Sequence, residues 1–417
     1  MNDALSRARQ YGAQVQDAAI AAALAKEDTK QAKAATLPSL NAFNQFIYTQ
    51  GNGTPSGVFV ANDGVHVYNE QAQVHQELFS LIRHGEIRRA QAAEAVAKAR
   101  IEVAQRGLNA TVIQDYYAIV AAQRKFANAG IGLREAGDFL SLTRKQEQGG
   151  EVAHADVIKA QIVEQQRRRD LQDAQLNIDK TKIALAVMIY PDFNTAFSVE
   201  DDLAQAILLP PMPEAQAKAV ATSPDLKVAR ASVEQAGYDV NVARYGYLPS
   251  FGLDFFYGIN ANQLAARANY PAQESGRGAL PNDQVPYRQN LGYSAQATLN
   301  IPLWNWGATR SKVRQAVLRQ QQAEIDLTLA QRTLQGNLAT AYSEAQVAQA
   351  QVDSLRSSSE LSAESLRLTV LRYRAGEATA QEVVDTQTTL VQARNAYDDG
   401  LVRYRAALAN LRTLTGN

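Results

Sequence analysis

The chain has 417 residues, 46% of them hydrophobic, and its 42 basic side chains are balanced by 42 acidic ones. Without an excess of positive charge nothing suggests a nucleic-acid partner, and with no cysteine at all disulfides, thiol catalysis and cysteine-type zinc sites are excluded. No apolar run of about 18 residues is present, which excludes a transmembrane helix but leaves open a membrane β-barrel, whose strands need only about 9–11 alternating residues.

The N-terminal Met1-Asn2-Asp3-Ala4 has neither a basic n-region nor an apolar h-region, and there is no N-terminal cysteine to carry a lipid. An exported chain is therefore expected to have lost its signal peptide already. In chain order, the composition predicts a helix over 3–36 and a strand over 37–50. A loop rich in Gly, Pro, Asn and Asp follows from Gly51 to Gly64, then a strand over 65–79. That second strand alternates poorly because Glu70, His75 and Glu77 interrupt it. A very long helix over 80–146, a turn at Gln148-Gly149-Gly150-Glu151 and a helix over 152–189 come next. The stretch 190–213, with Pro191, Pro210, Pro211 and Pro213, reads as a linker.

Beyond it the same order returns: a helix over 214–247, strands over 248–260 and 288–301 separated by a loop from Ala261 to Tyr287, and helices over 308–373 and 377–414. Here the strands are clear. Phe251, Leu253, Phe255, Tyr257 and Ile259 fall at every second position, as do Leu291, Tyr293, Ala295, Ala297, Leu299 and Ile301, the period of a two-faced strand. Between the last strand and its helix stands Pro302-Leu303-Trp304-Asn305-Trp306-Gly307.

The two halves, approximately 1–190 and 214–417, are a duplication. Leu37-Pro38-Ser39 recurs as Leu248-Pro249-Ser250, and Ala8, Ala25 and Ala32 match Ala219, Ala236 and Ala243. Phe79 to Gly85 corresponds to Ile301 to Gly307. Gln148-Gly149-Gly150-Glu151 followed by Asp156 corresponds to Arg374-Ala375-Gly376-Glu377 followed by Glu382. Each long helix would reach about 100 Å at 1.5 Å per residue and must bury an apolar seam along its length. The last helix carries one: Val383, Leu390, Tyr397, Tyr404 and Leu411 are seven apart, with Leu401 and Leu408 on the interleaved row and Gln387 and Arg394 interrupting it. Four strands cannot close a barrel, and open edges in lipid are costly, so closure demands other copies; three chains would supply twelve strands.

Together the doubled order, the Leu-Pro-Ser before each first strand, Pro302-Leu303-Trp304-Asn305-Trp306-Gly307 and Tyr373-Arg374-Ala375-Gly376-Glu377 resemble the TolC-like outer-membrane efflux protein family over essentially the whole chain. The resemblance implies a mainly α fold with a membrane β-barrel: a homotrimer with a 12-stranded β-barrel in the outer membrane, built from 37–79 and 248–307, continued by a 12-helix α-barrel and equatorial region in the periplasm, built from 1–36, 80–189, 214–247 and 308–417. It implies a passive exit duct of a tripartite efflux or type I secretion system, working with a periplasmic adaptor and an inner-membrane transporter, without cofactor, metal or catalysis. It also implies a constriction at the periplasmic tip formed by Tyr373, Glu382, Asp385 and Asp156, and adaptor docking at the helical turns with Gly149, Gly150, Gly376 and Glu377. On that reading Pro302, Leu303, Trp304, Trp306 and Gly307 mark the strand-to-helix passage, with both indoles at the membrane–water boundary. Glu382 and Asp385 are three apart and share a helix side; a trimer would repeat them as a ring favouring cations. One departure stands out: Ala378 occupies the place where relatives carry an arginine, so a Tyr/Arg/Asp latch is incomplete and the closed tip is expected either to be weaker or to be held by other contacts such as Arg372 or Arg374.

Other readings have less to rest on. Arg167-Arg168-Arg169 point three ways on a helix and read as its wet side; His66, His75, His84 and His154 are scattered in sequence, and Gly149-Gly150 is a turn without a phosphate-loop pattern. A soluble helical scaffold is the alternative, against which the alternation of 251–259 and 291–301 argues.

Overall fold

A computed structural model of the chain describes residues 1–48, 66–203, 205, 208–261 and 291–415. The loop expected over Gly51–Gly64, and the one over 261–287 beyond Ala261, lie outside the described residues. Twelve elements are described: α1 (Asn2–Tyr11), α2 (Ala13–Ala34), β1 (Ser39–Tyr48), β2 (His66–Phe79), α3 (Leu81–Gln148), α4 (His154–Ile189), α5 (Met212–Thr222), α6 (Pro224–Tyr245), β3 (Ser250–Ala261), β4 (Leu291–Asn300), α7 (Ala308–Arg374) and α8 (Ala380–Thr415). They form two compact units, one of Met1–Ala22, Val96–Arg230 and Ile325–Asn417, the other of Ala23–Ala95 and Ala231–Glu324.

Two helices expected as single pieces are each broken in two. The first breaks at Gly12, which is extended (φ −65°, ψ 114°); a Cβ there would lie 2.6 Å from the backbone Ala8 O and 2.6 Å from Leu108 Cδ2 of α3, an approach that favours glycine. The second breaks at the matching place, Ser223 (ψ 117°). Its cause is chemical: Pro224 forces the preceding residue out of helical geometry, and Ser223 Oγ accepts the backbone N–H of Leu226 at 3.4 Å, starting α6 afresh.

In the second unit the four strands form one antiparallel sheet in the order β1-β2-β3-β4, so β2 of the first copy pairs with β3 of the second. The register sorts side chains by face. Leu40, Val74, Phe255 and Ala295 share one row and Ala42, Ala72, Tyr257 and Tyr293 the next, with the Phe255 and Tyr293 rings stacked at 6.1 Å. The opposite face is mainly polar: Ser39, His75, Asp254 and Gln296 form one row, and Asn41, Gln73 and Ser294 continue it, with Phe256 beside Gln73 and Phe43 facing Gln71 as its aromatic exceptions. The uneven alternation of β2 has its reason here. Glu70, facing Asn44, and Gln76, facing Leu253, fall on the apolar side; Gln76 turns its amide back to the Thr36 and Glu77 carbonyls, both at 3.0 Å.

The first unit buries three principal apolar clusters. One joins Ala4 and Ala8 of α1 to Leu108, Val112 and Ile119 of α3 and Leu185 and Ile189 of α4. Its second-copy counterpart joins Ala215 and Ala219 of α5 to Leu334 and Leu338 of α7 and Leu411 of α8. The third is shared by both copies: Phe139 and Leu140 of α3, Val157 of α4, Leu366 and Tyr373 of α7, and Val383 and Leu390 of α8. The α8 seam is therefore buried at Val383, Leu390, Tyr404, Leu408 and Leu411. Its two polar interruptions cross to α3: Gln387 Nε2 donates to the Glu135 carbonyl at 3.2 Å and Arg394 Nη1 to Glu135 Oε1 at 3.1 Å.

Candidate functional site

The two helical turns are built on one backbone plan. In the first, Glu151 N–H donates to Gln146 O at 2.8 Å and Gly150 N–H to Glu147 O at 2.9 Å; in the second, Glu377 N–H donates to Arg372 O at 2.9 Å and Gly376 N–H to Tyr373 O at 3.1 Å. Both are paired C-terminal caps that require a left-handed residue, and both Gly150 and Gly376 sit at φ +77°. The sequence pattern Gly-Gly-Glu against Ala-Gly-Glu thus encodes a single geometry, with Gly149 and Ala375 as ordinary helix-end residues.

Side chains then make the turns different. Thr379 and Glu382 form a reciprocal capping box: Thr379 N–H donates to Glu382 Oε1 at 3.1 Å and Glu382 N–H to Thr379 Oγ1 at 3.2 Å. The Thr379 N–H above all, with its hydroxyl and the Arg372 charge, holds the Glu382 carboxyl below its ordinary pKa against an opposing desolvation. Arg372 ties the turn further, donating to the Glu377 carbonyl at 3.0 Å and approaching Glu382 Oε2 at 3.5 Å. Asp385 is exposed and accepts from Gln381 Nε2 at 2.9 Å. In the first turn, Ala153 caps α4 without a side-chain bond; the bridge across the turn is His154 Nδ1 to Glu147 Oε1 at 2.5 Å. Asp156 is half-buried beside Lys159, 3.7 Å away.

Tyr373 stands apart from the acids with which the sequence grouped it. It is 3% exposed, its ring meets Phe139 edge-on at 5.1 Å, and its hydroxyl donates to Thr143 Oγ1 at 3.4 Å. Burial pushes its pKa up, with the Asp156 charge adding to the rise and the Thr143 bond opposing it. Within one chain it is a packing residue between α3 and α7, while Glu382 and Asp385 stay at the surface. Ala378 packs against the same cluster, and the cation that secures this turn is Arg372.

At the strand-to-helix passage the ladder ends at Asn300. Trp306 and Gly307 take left-handed conformations, φ +53° and +80°, an unfavourable one for tryptophan. Asn305 secures them: its carbonyl accepts Ala308 N–H at 3.0 Å and its side chain bonds Thr309. Leu303, Trp304 and Trp306 are 88%, 77% and 89% exposed, the indoles meeting edge-on at 5.7 Å.

Sequence reading missed a clamp on the connection between the copies. The Tyr116 hydroxyl donates to Glu200 O at 2.7 Å and accepts from Glu200 N–H at 3.1 Å; Tyr117 bonds Asp202 at 3.3 Å. Burial, aided by the Asp202 charge, pushes the Tyr117 pKa up to about 12. Arg124 grips Asp201 bidentately at 2.6 and 3.0 Å and also reaches Asp398 at 2.9 Å. Arg405 donates to the carbonyls of Asp202 and Gln205. Partners so far apart in sequence leave no local signature. The Thr379-Ala380-Gln381-Glu382 box, by contrast, does have a local pattern, threonine followed three residues later by glutamate, which the sequence reading passed over.

Among the described residues no group of three His, Asp or Glu side chains is placed to hold a metal, and no described helix is long and apolar enough to cross a membrane.

The family model described as outer membrane efflux protein matches residues 4–189 and 216–417. The outer membrane efflux protein BepC of Brucella suis biovar 1 is 25% identical over 59% of this chain and 49% of its own length. The pyoverdine export outer membrane protein OpmQ of Pseudomonas putida is 26% identical over 68% of this chain and 56% of its own. The chain thus spans about half the length of these curated relatives. Among solved structures, the Campylobacter jejuni CmeC outer membrane channel superposes with a TM-score of 0.81 at 17% identity, covering 100% of this chain and 85% of that one. The Vibrio cholerae outer membrane protein VceC gives 0.82 at 17% identity, covering 100% and 96%.

Proposed function

This chain belongs to the outer membrane efflux protein family, and from that premise we propose that three copies assemble into a passive exit duct across the outer membrane. The observation that carries the reading is the sheet. Four antiparallel strands present one mainly apolar and one mainly polar face, and β1 and β4 are end strands. In lipid such edges must be paired, and three copies edge to edge give a closed twelve-stranded barrel with a wet lumen. Helices of 68 and 67 residues, α3 and α7, with α4 and α8, supply a twelve-helix α-barrel. The exposed Leu303, Trp304 and Trp306 suit the membrane–water boundary.

In this duct the energy comes from an inner-membrane transporter, joined through a periplasmic adaptor that docks on the turns around Gly149, Gly150, Gly376 and Glu377. Glu382 and Asp385, with Asp156 beside them, line the tip and favour cations; Tyr373 sets the α3–α7 packing behind them. The alternative, a soluble helical scaffold, does not account for an exposed sheet face of Leu40, Phe46, Phe255 and Tyr293.

Single-particle electron microscopy of the detergent-purified protein tests the assembly: a threefold hollow cylinder with a detergent belt is expected, and a beltless rod or compact monomer sinks it. Planar-bilayer recording tests the acids. Glu382→Gln with Asp385→Asn, which keeps hydrogen-bonding groups while deleting charge, should lower cation preference and block by multivalent cations; unchanged selectivity removes both residues from the pore.

A further inference from the structure

A cavity of about 820 Å³ opens in the first unit among α1, α3, α6 and α8. Its charge is lopsided. Arg9, Arg106, Lys227, Arg405 and Arg412 line it against a single lining carboxylate, Glu102. Lys227 is held by Glu102 at 2.6 Å and Arg106 is paired with Asp225. Behind the wall, Arg405 is committed to the clamp on the inter-copy connection. Among the described residues the remaining two cations are uncompensated: Arg9 donates to the neutral Asn109 at 3.2 Å, and neither Arg9 nor Arg412 has a carboxylate within ion-pairing distance.

Two further observations point the same way. The buried Nη1 atoms of Arg106 and Arg405 have no acceptor among the described residues, and Arg405 as a whole is only 3% exposed. Folded proteins leave few such donors unmatched. In addition, α6, 22 residues long, begins at the cavity with Pro224 in its lining, so the positive end of a helix adds to the field.

We propose that this cavity is a binding site for a phosphate-class oxyanion, gripped by the exposed Arg9 and Arg412 and backed by the guanidinium of Arg106. Planar guanidinium forks match the oxygens of phosphate and bind them in pairs. Apolar lining from Leu5, Ile113 and Leu408 leaves room for the organic part of a phosphate ester, so the anion is either a lipid headgroup or free phosphate.

The test uses the assembled, detergent-purified protein and the double variant Arg9→Gln, Arg412→Gln; both arginines are exposed, so folding and bilayer conductance should be retained, which separates this site from the duct itself. Phosphorus is first quantified in the protein. Phosphorus retained in proportion to chain and lost in the variant assigns a lipid headgroup. Phosphorus-free protein that binds inorganic phosphate saturably by calorimetry at constant ionic strength, about tenfold more weakly in the variant for the lost charge-assisted bonds, assigns the free anion. A phosphorus-free protein with no saturable phosphate heat overturns the proposal, as does a variant that keeps the bound phosphorus or the wild-type affinity.

Discussion

The two helical turns share a backbone and differ in what locks it. Both cap their long helix with a left-handed glycine and the same pair of hydrogen bonds. The first is then spanned by an exposed histidine–glutamate bridge, whereas the second carries a capping box, an arginine tie and, one turn earlier, a buried tyrosine. Duplication preserved what the chain direction needs and left side chains to diverge. The second turn is therefore the more constrained of the two, because Tyr373 is buried and the capping box and arginine tie converge on Glu382, while a single exposed ion pair contributes little.

The largest contrast is expected at the position occupied by Tyr373 in one copy and Glu147 in the other. Tyr373→Ala removes a buried aromatic and should cost about 3–5 kcal/mol, seen as a fall in the thermal midpoint of the purified protein. Glu147→Ala loses only a bridge with a surface histidine, and should stay within about 1 kcal/mol of wild type. Equal losses would break the comparison. Gly150→Ala and Gly376→Ala should each cost about 1–2 kcal/mol for a left-handed alanine. They should match, since a Cβ at either position meets nothing within 4 Å; a mismatch would mean that the side-chain locks strain the backbone.

The smallest effects separate the helix starts. Thr379→Ala should cost about 1 kcal/mol, and Ala153→Thr at the first turn should recover part of that by supplying the missing hydroxyl. The box is also acid-sensitive. Because Glu382 is held below its ordinary value of 4.5, its contribution is complete above that value and is lost as the pH falls through the lower folded one. Melting profiles of Glu382→Gln should lack that portion of the acid loss; a profile parallel to wild type would show the carboxylate to be idle.

Much of this was legible in the sequence wherever a local rule governs. Leu253, Phe255 and Tyr257 announce β3 because one of its faces is uniformly apolar, and the turn glycines announce themselves by position. The strand β2 hid because Glu70 and Gln76 stand on the apolar side, so only the duplication revealed it. Ser223-Pro224 carries a helix-break signal that the reading of one helix over 214–247 left out; at Gly12 the need for a residue without a Cβ comes partly from Leu108, 96 residues away in sequence (108 − 12). Likewise Gln387 and Arg394 read as flaws in a seam until Glu135 of α3 supplied their acceptors. Tyr373 was grouped with the acids by resemblance, and only Phe139 and Thr143 reveal it as core.

The pairing of β2 with β3 has a consequence for how the chain is made. His75 meets Asp254, 179 residues later, at 2.7 Å, so the ladder that joins the copies cannot form until the second copy has been made as far as β3. A newborn first half holds at most a two-stranded hairpin, below the size at which a sheet stands alone, and exposes an edge open to any other extended chain. Until β3 (Ser250–Ala261) is made, β2 has no second-copy strand to pair with, and two halves expressed separately should recover the sheet only by finding each other.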